Sequence, residues 1–246
     1  MKKSGEDGTL YGIGVGPGDP DLIPVKAVDI LKNVDVIFAA SSSKNSHSRA
    51  VNIARPYIPD STRLHMLPFP MCKDKAEKAA AWKRHARSIL SVLKDGLDAA
   101  FLTLGDPLTY ATYGYILKSM QALAPDVRMV TVPGISSFQA AAARVNIPLV
   151  EGNESLTVVS GVEGGGCIRK LAAGVDNLVI MKAYKNVADI TAALVESGRL
   201  DTSVGIVNCC LEDEEIIRDL RELSNNPPGY WTLILSKKNG HEKTQP

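Results

Sequence analysis

Ala99-Ala100-Phe101-Leu102-Thr103-Leu104-Gly105-Asp106-Pro107-Leu108-Thr109-Tyr110-Ala111-Thr112-Tyr113 is the stretch on which the reading of the fold turns. Its first six residues form a short apolar run, the pattern of a strand buried on both faces. Gly-Asp-Pro follows at once, so the strand ends by delivering a carboxylate and open backbone to the edge of a sheet. Gly105 lets a ligand approach the main chain closely, and Pro107 fixes the turn. In an open α/β sheet, ligands bind in the crevice at the carboxyl ends of the strands. Gly-Asp-Pro alone is also an ordinary turn; two further loops give it context.

The first lies near the N-terminus. Leu10-Tyr11-Gly12-Ile13-Gly14-Val15-Gly16-Pro17-Gly18-Asp19-Pro20 is a strand opening into a Gly/Pro-rich loop, and Val25–Lys32 after it reads as a helix. A glycine loop between strand and helix is the pattern of a phosphate cradle. Here Pro17, Pro20 and Pro24 remove amide donors from the stretch that would hold a pyrophosphate, and no acidic residue stands where a ribose would need it. The second is Val130-Thr131-Val132-Pro133-Gly134-Ile135-Ser136-Ser137-Phe138, leading into alanine-rich Gln139–Arg144: strand, turn, helix. Ser136 or Ser137 suits a helix cap, and the loop's hydroxyls and amides also suit a ligand crevice.

Strands are expected at Leu10–Val15, Val34–Ala39, Ala99–Leu104 and Arg128–Val132, with helices at Val25–Lys32, Ser48–Tyr57, Lys73–Asp95 and Tyr113–Leu123. Such alternation implies an α/β fold with a largely parallel sheet. Beyond Pro133-Gly134, strands are expected at Leu156–Ser160, Leu178–Ala183, Val204–Cys209 and Tyr230–Lys237, with a helix at Val187–Ser197. Gly161–Gly166 reads as a surface turn, or as a mobile gate. Two α/β domains are therefore expected, 8–133 and 134–238, followed by a frayed tail at 239–246.

The chain has 246 residues, 45% of them hydrophobic, which supports a sizeable core. A net charge of +1 creates no strong field toward nucleic acid or membrane, and 5% aromatics are too few for an extended base-stacking platform. No apolar leader and no segment near the length of a bilayer span is visible, so a cytoplasmic location is expected. Cys72, Cys167, Cys209 and Cys210 form no Cys-x-x-Cys pair. On a strand, Cys209 and Cys210 would face opposite ways. No metal site is expected, and reduced, partly buried thiols are.

In order and spacing, Gly-x-Gly-x-Gly-Pro-Gly-Asp-Pro, Gly-Asp-Pro-x-x-Tyr and Pro-Gly-Ile-Ser-Ser resemble the tetrapyrrole methylases, over about Leu10 to Lys238. That family transfers methyl groups from S-adenosylmethionine during corrin and sirohaem synthesis. Residues Gly105–Ile116 and Pro133–Arg144, continuing to Pro148–Glu154, are most similar to the enzymes that methylate C-20 of precorrin-2 or cobalt-factor II. Uroporphyrinogen methylases of the family carry a Tyr-Asp-Arg-Leu-like segment after the second strand; Phe38-Ala39-Ala40-Ser41 stands there instead, and Ala39 has no acid–base chemistry.

The resemblance implies two α/β domains with a ligand cleft between them, S-adenosylmethionine as cofactor and a homodimer. It implies cofactor contacts from Gly105, Asp106 and Thr109, then Ser136 and Ser137, then Met181, Lys182, Asn208 and Cys209, and last Trp231 and Thr232. For Met181 a place in the core is an equal alternative. It implies a tetrapyrrole trough over the first glycine loop, with Pro17 and Asp19. Such substrates carry many carboxylates, so Lys26, Lys44 and Arg49 are candidates for its rim. Tyr110 and Tyr113 are candidates to pack on the macrocycle or in the core, and His47 to meet substrate. No single side chain is expected to act as general base; catalysis would come from alignment. Competing readings are another corrin-pathway or sirohaem methylase, an RNA- or diphthamide-modifying relative, and, in a different class, a nucleotide-binding oxidoreductase built on Gly12–Gly18.

Overall fold

The computed structural model describes residues 6–42, 48–70, 72, 74–225 and 228–238. Lys44, His47 and the expected tail lie outside them. The chain divides after Ser136 into two compact units, each built on a five-stranded sheet.

The first unit runs β1 (Leu10–Gly14), α1 (Val25–Leu31), β2 (Val36–Ser42), α2 (Arg49–Ala54), β3 (Arg63–Phe69), α3 (Lys75–Lys94), β4 (Ala99–Thr103), α4 (Tyr113–Leu123) and β5 (Met129–Val132). The sheet order is β3-β2-β4-β1-β5, and every pair is parallel. Parallel strands need crossovers, and helices cover both faces. One face buries Ile13, Ile37 and Leu102 with Ala27 and Leu31 of α1 and Ile53 and Ala54 of α2. The other buries Leu10, Phe38 and Phe101 with Ile89 and Leu93 of α3 and Tyr113, Ile116 and Met120 of α4. This two-sided burial explains why β4 is buried throughout and apolar from Ala99 to Leu102. Helix α3 starts where Asp74 accepts hydrogen bonds from the amides of Ala76 (2.7 Å) and Glu77 (3.3 Å). The sequence pattern overlooked β3. Among the described residues it pairs only with β2; it is largely exposed and carries Pro68, all traits of an edge strand without apolar alternation.

The second unit runs α5 (Ser137–Val145), β6 (Leu156–Ser160), α6 (Gly166–Leu171), β7 (Asn177–Met181), α7 (Val187–Glu196), β8 (Ser203–Val207), β9 (Glu215–Ile217), α8 (Glu222–Asn225) and β10 (Thr232–Lys237). Its sheet, β6-β7-β10-β8-β9, is mixed: β6 and β7 are parallel, while β10 lies antiparallel between β7 and β8. The buried guanidinium of Arg199 donates to the carbonyls of Ala172, Val175 and Asp176, tying together the turn that enters β7. The glycine segment 161–166 is a tied turn: the Gly161 amide donates to Met181 O (2.7 Å) and the Gly165 amide to Asp189 Oδ2 (2.7 Å).

Candidate functional site

In the first sheet β1 is flanked by β4 and β5, so the loops leaving all three carboxyl ends are neighbours. They meet through glycine backbone. Gly16 and Gly105 exchange hydrogen bonds (Gly105 N to Gly16 O 2.7 Å, Gly16 N to Gly105 O 3.3 Å). A Cβ at Gly14 would lie 2.5 Å from Gly105 O, and one at Gly134 would lie 2.3 Å from the same atom. Gly105 itself has φ +70°, and on its own open side the nearest atom is 3.9 Å away. Three motifs far apart in sequence thus form one backbone junction.

Asp106 braces that junction. Its Oδ1 accepts from the Leu108 amide (2.9 Å) and the Thr109 hydroxyl (3.1 Å), and its Oδ2 from the Gly134 amide (3.2 Å). The carboxylate therefore joins the second motif to the third, and its remaining lone pairs and those of Thr109 stay available as acceptors. Ser136 is buried at the end of this loop. Tyr110 is 48% exposed and holds φ +50°.

The other expected contacts of this unit separate. Tyr113 is a core residue: it is fully buried, its ring fills the space a side chain at Gly12 would take, and its hydroxyl pairs with Thr131 Oγ1 (3.2 Å). Burial raises its pKa, against the Thr131 hydrogen bond. Of the two places expected for this ring, the macrocycle or the core, the structure shows the core. Pro17 is buried, and Asp19 caps a short turn by accepting from the Asp21 amide (2.9 Å). Lys26 and Arg49 are exposed on α1 and α2, the two helices that share one face of the sheet.

In the second unit, antiparallel β10 brings its first residues beside the carboxyl ends of β7 and β8. Leu233 pairs with Met181, and Thr232 with Val207. The Ala183 amide donates to Thr232 O (2.9 Å) and the Asn208 amide to Trp231 O (3.0 Å). Met181, Lys182, Asn208, Cys209, Trp231 and Thr232 accordingly share one sheet edge. Trp231 is 40% exposed, whereas Thr232 is buried and donates its hydroxyl to Gly229 O (2.7 Å). Ser137 Oγ lies 3.9 Å from Met181 Sδ. Tyr230, beside Trp231 at 4.8 Å between ring centroids, extends this edge, and its ring also meets Tyr184. Sequence reasoning missed both tyrosines, because isolated aromatics carry no pattern.

It also misplaced the paired cysteines. β8 ends at Val207, so Cys209 and Cys210 occupy a turn, and their sulfurs lie 3.7 Å apart on one side. Glu214 closes the turn: Oε2 accepts from the Cys210 amide (2.6 Å) and Oε1 from Arg144 Nε (2.7 Å). Burial pushes the Glu214 carboxyl up, but Arg144 and the Cys210 amide more than offset this and hold it below its usual value. Burial, with Cys210 alongside, pushes the Cys209 thiol far above its usual range.

A parallel sheet with glycine loops at its carboxyl edge, followed by a mixed sheet, defines a class that the family comparison makes explicit. The sequence model of the Tetrapyrrole (Corrin/Porphyrin) Methylases matches residues 9–224, and the chain belongs to this family. Among its relatives, the cobalt-precorrin-2 C(20)-methyltransferase of Salmonella typhimurium is 34% identical over 233 residues, which is 94% of this chain and 97% of that protein. The probable cobalt-precorrin-2 C(20)-methyltransferase of Methanocaldococcus jannaschii is 36% identical over 209 residues, 85% of this chain and 86% of that one. The uroporphyrin-III C-methyltransferase from Thermus thermophilus, solved with S-adenosyl homocysteine, shares the fold with a TM-score of 0.65 at 23% identity. The likeness covers 94% of this chain and 98% of that one.

Proposed function

We propose that this protein is an S-adenosylmethionine-dependent C-methyltransferase of cobalamin biosynthesis, acting at C-20 of precorrin-2 or of its cobalt complex. The observation that carries the reading is the 34% identity to a cobalt-precorrin-2 C(20)-methyltransferase over nearly the whole of both chains. Ala39, buried in β2 where uroporphyrinogen methylases have an aspartate, turns the reading away from sirohaem synthesis.

The residues present fit the cofactor. Gly105 leaves open space above its backbone. Asp106, Thr109 and Ser136 in the first unit offer acceptors and hydroxyls for an amino acid and a ribose. Ser137, Met181, Lys182, Asn208, Cys209, Trp231 and Thr232 are the proposed contacts in the second, with the exposed face of Trp231 suited to a purine. When bound, S-adenosylmethionine supplies a methyl already activated by its positive sulfur. The chain's own task is to fix geometry and exclude water. The junction of Gly14, Gly105 and Gly134 holds the loops rigid, and Asp106 locks Thr109 beside them. For the substrate, Asp19, Tyr110, Lys26 and Arg49 are the proposed contacts, with Lys44 and His47. Pro17, being buried, is proposed to shape the trough through its backbone.

Among the described residues no helix is long and apolar enough to cross a membrane; a cytoplasmic setting is part of the proposal. A homodimer is part of the proposal.

The decisive experiment is mass spectrometry and carbon-13 NMR of products formed from labelled S-adenosylmethionine with metal-free precorrin-2 and with its cobalt complex. One labelled methyl at C-20 is expected. No product from either substrate, or a methyl at another ring carbon, overturns the assignment. A ligand-bound structure with S-adenosylhomocysteine on Gly12–Gly18, away from Gly105–Thr109, would overturn the cofactor contacts.

A further inference from the structure

We propose that Cys209, Cys210 and Glu214 form a binding site for one thiophilic divalent cation, such as Zn²⁺. The three side chains each present a ligand atom, and these atoms all lie within 4.8 Å of one another. The decisive distance is between the two sulfurs. A Zn–S bond of about 2.3 Å in a tetrahedron requires an S–S edge of about 3.8 Å, and the sulfurs stand 3.7 Å apart. Neighbouring side chains on extended backbone point to opposite faces, so this approach needs a special main chain. It has one: Asn208 and Cys210 hold φ +50° and +62°.

The turn is tied in that shape independently of any ion. The Leu211 amide donates to Asn208 O (3.0 Å), the Glu214 amide to Leu211 O (3.1 Å) and Asn208 Nδ2 to Asp213 Oδ2 (2.7 Å). The Cys210 amide donates to Glu214 Oε2 (2.6 Å), which fixes the carboxylate over the sulfurs. Glu214 is 10% exposed and Cys209 is buried, while Cys210 is half-buried. Cys210 is the more exposed of the two thiols, and three protein ligands leave a fourth tetrahedral position, as in zinc sites that keep an exchangeable ligand.

Charge argues the same way. The three ligands bring three negative charges when both thiols are ionised, and Arg144 brings one positive charge against Glu214. A divalent cation makes the cluster neutral. Binding exchanges two S–H bonds for two metal–sulfur bonds and releases two protons to solvent, with no change of oxidation state.

The test uses the full-length protein, reduced and freed of metal, and titrated with Co²⁺ and then Zn²⁺. The expected result is a thiolate-to-cobalt charge-transfer band saturating at one equivalent and abolished by Zn²⁺. Cys210→Ser, nearly isosteric and at the half-buried position, is expected to weaken binding by about tenfold or more, as is Glu214→Gln. Circular dichroism keeps loss of fold from passing as loss of site. Cys72→Ser/Cys167→Ser is expected to bind as the wild type does. No band at stoichiometric cobalt, or a band that survives Cys209→Ser/Cys210→Ser in folded protein, overturns the proposal. Cys209 is also among the proposed cofactor contacts, so metal binding is read directly, and its failure leaves the methyltransferase assignment untouched.

Discussion

The carboxyl edge of the first sheet and the matching edge of the second solve one problem in opposite ways. Both bring loops from separate strands together. In the first, the contact is backbone against backbone: a Cβ at Gly14 or Gly134 has no room, and Gly105 holds φ +70°. In the second, Lys182, Asn186, Asn208 and Cys210 carry side chains through left-handed turns at φ +50° to +62°. An L-residue gives up about 1–2 kcal/mol in that conformation. The gain is that side chains are presented where glycine presents none.

The sharpest way to break this contrast is Gly134→Ala. Its Cβ would fall 2.3 Å from Gly105 O, a backbone atom that cannot swing aside. A loss of about 3 kcal/mol or more is expected in urea unfolding, and a variant of wild-type stability would show that the junction yields. Asp106→Asn comes next. It keeps the shape but weakens three accepted hydrogen bonds, so S-adenosylhomocysteine binding should weaken by about 1–3 kcal/mol; unchanged affinity in titration calorimetry removes Asp106 from the site. Asp19→Asn and Tyr110→Phe should each keep more than about a hundredth of the single-turnover rate, since losing a true general base costs about 10²–10⁴-fold. A folded variant, binding both ligands but slowed a thousandfold or more, would end the account of catalysis by alignment.

Acid should separate the units with a gentler effect. Burial, reinforced by the Arg84 charge, holds His85 below its usual 6.5 despite its bond to Pro68 O. The unfolded chain protonates there first, so the first unit has its full stability above pH 6.5 and loses part of it as pH falls below. In the second unit the depressed carboxylates include Glu214, Asp189 and Asp176. Their contribution is full above the ordinary carboxylate value of 4.5 and is lost only below it. Peptide-resolved hydrogen exchange between pH 7 and 5 should therefore loosen α3 and spare β8; equal loosening would refute the assignment. The smallest effect is expected of Asn186→Gly, which relieves φ +52° and loses one exposed bond to Val162 O. A change below about 1 kcal/mol should result, in opposition to Gly134→Ala.

The contrast also decides what the sequence could show. Gly105, Gly134 and the Gly14–Gly16 run were visible because a backbone junction admits one residue type, and Leu10, Ile37 and Phe101 were visible as continuous apolar runs. Left-handed asparagine, lysine and cysteine leave no trace in composition or period. The approach of Cys209 and Cys210 was hidden, because the rule that places neighbours on opposite faces assumes a strand that ends two residues earlier. Strand β3 was hidden by its exposure and its proline, and Tyr113 was left open between core and macrocycle because it shares a motif with the exposed Tyr110.

The glycine junction has a consequence for how such a protein is altered. Its three loops descend from strands separated by most of the first unit, yet each fills a gap left by the other two. They are heritable as a set. A chimera that borrows one loop from a relative imports a shape cut for partners it has left behind, whereas a graft of all three carries its own fit. Changes in specificity are therefore easier to reach through the side chains the loops display than through the loops themselves.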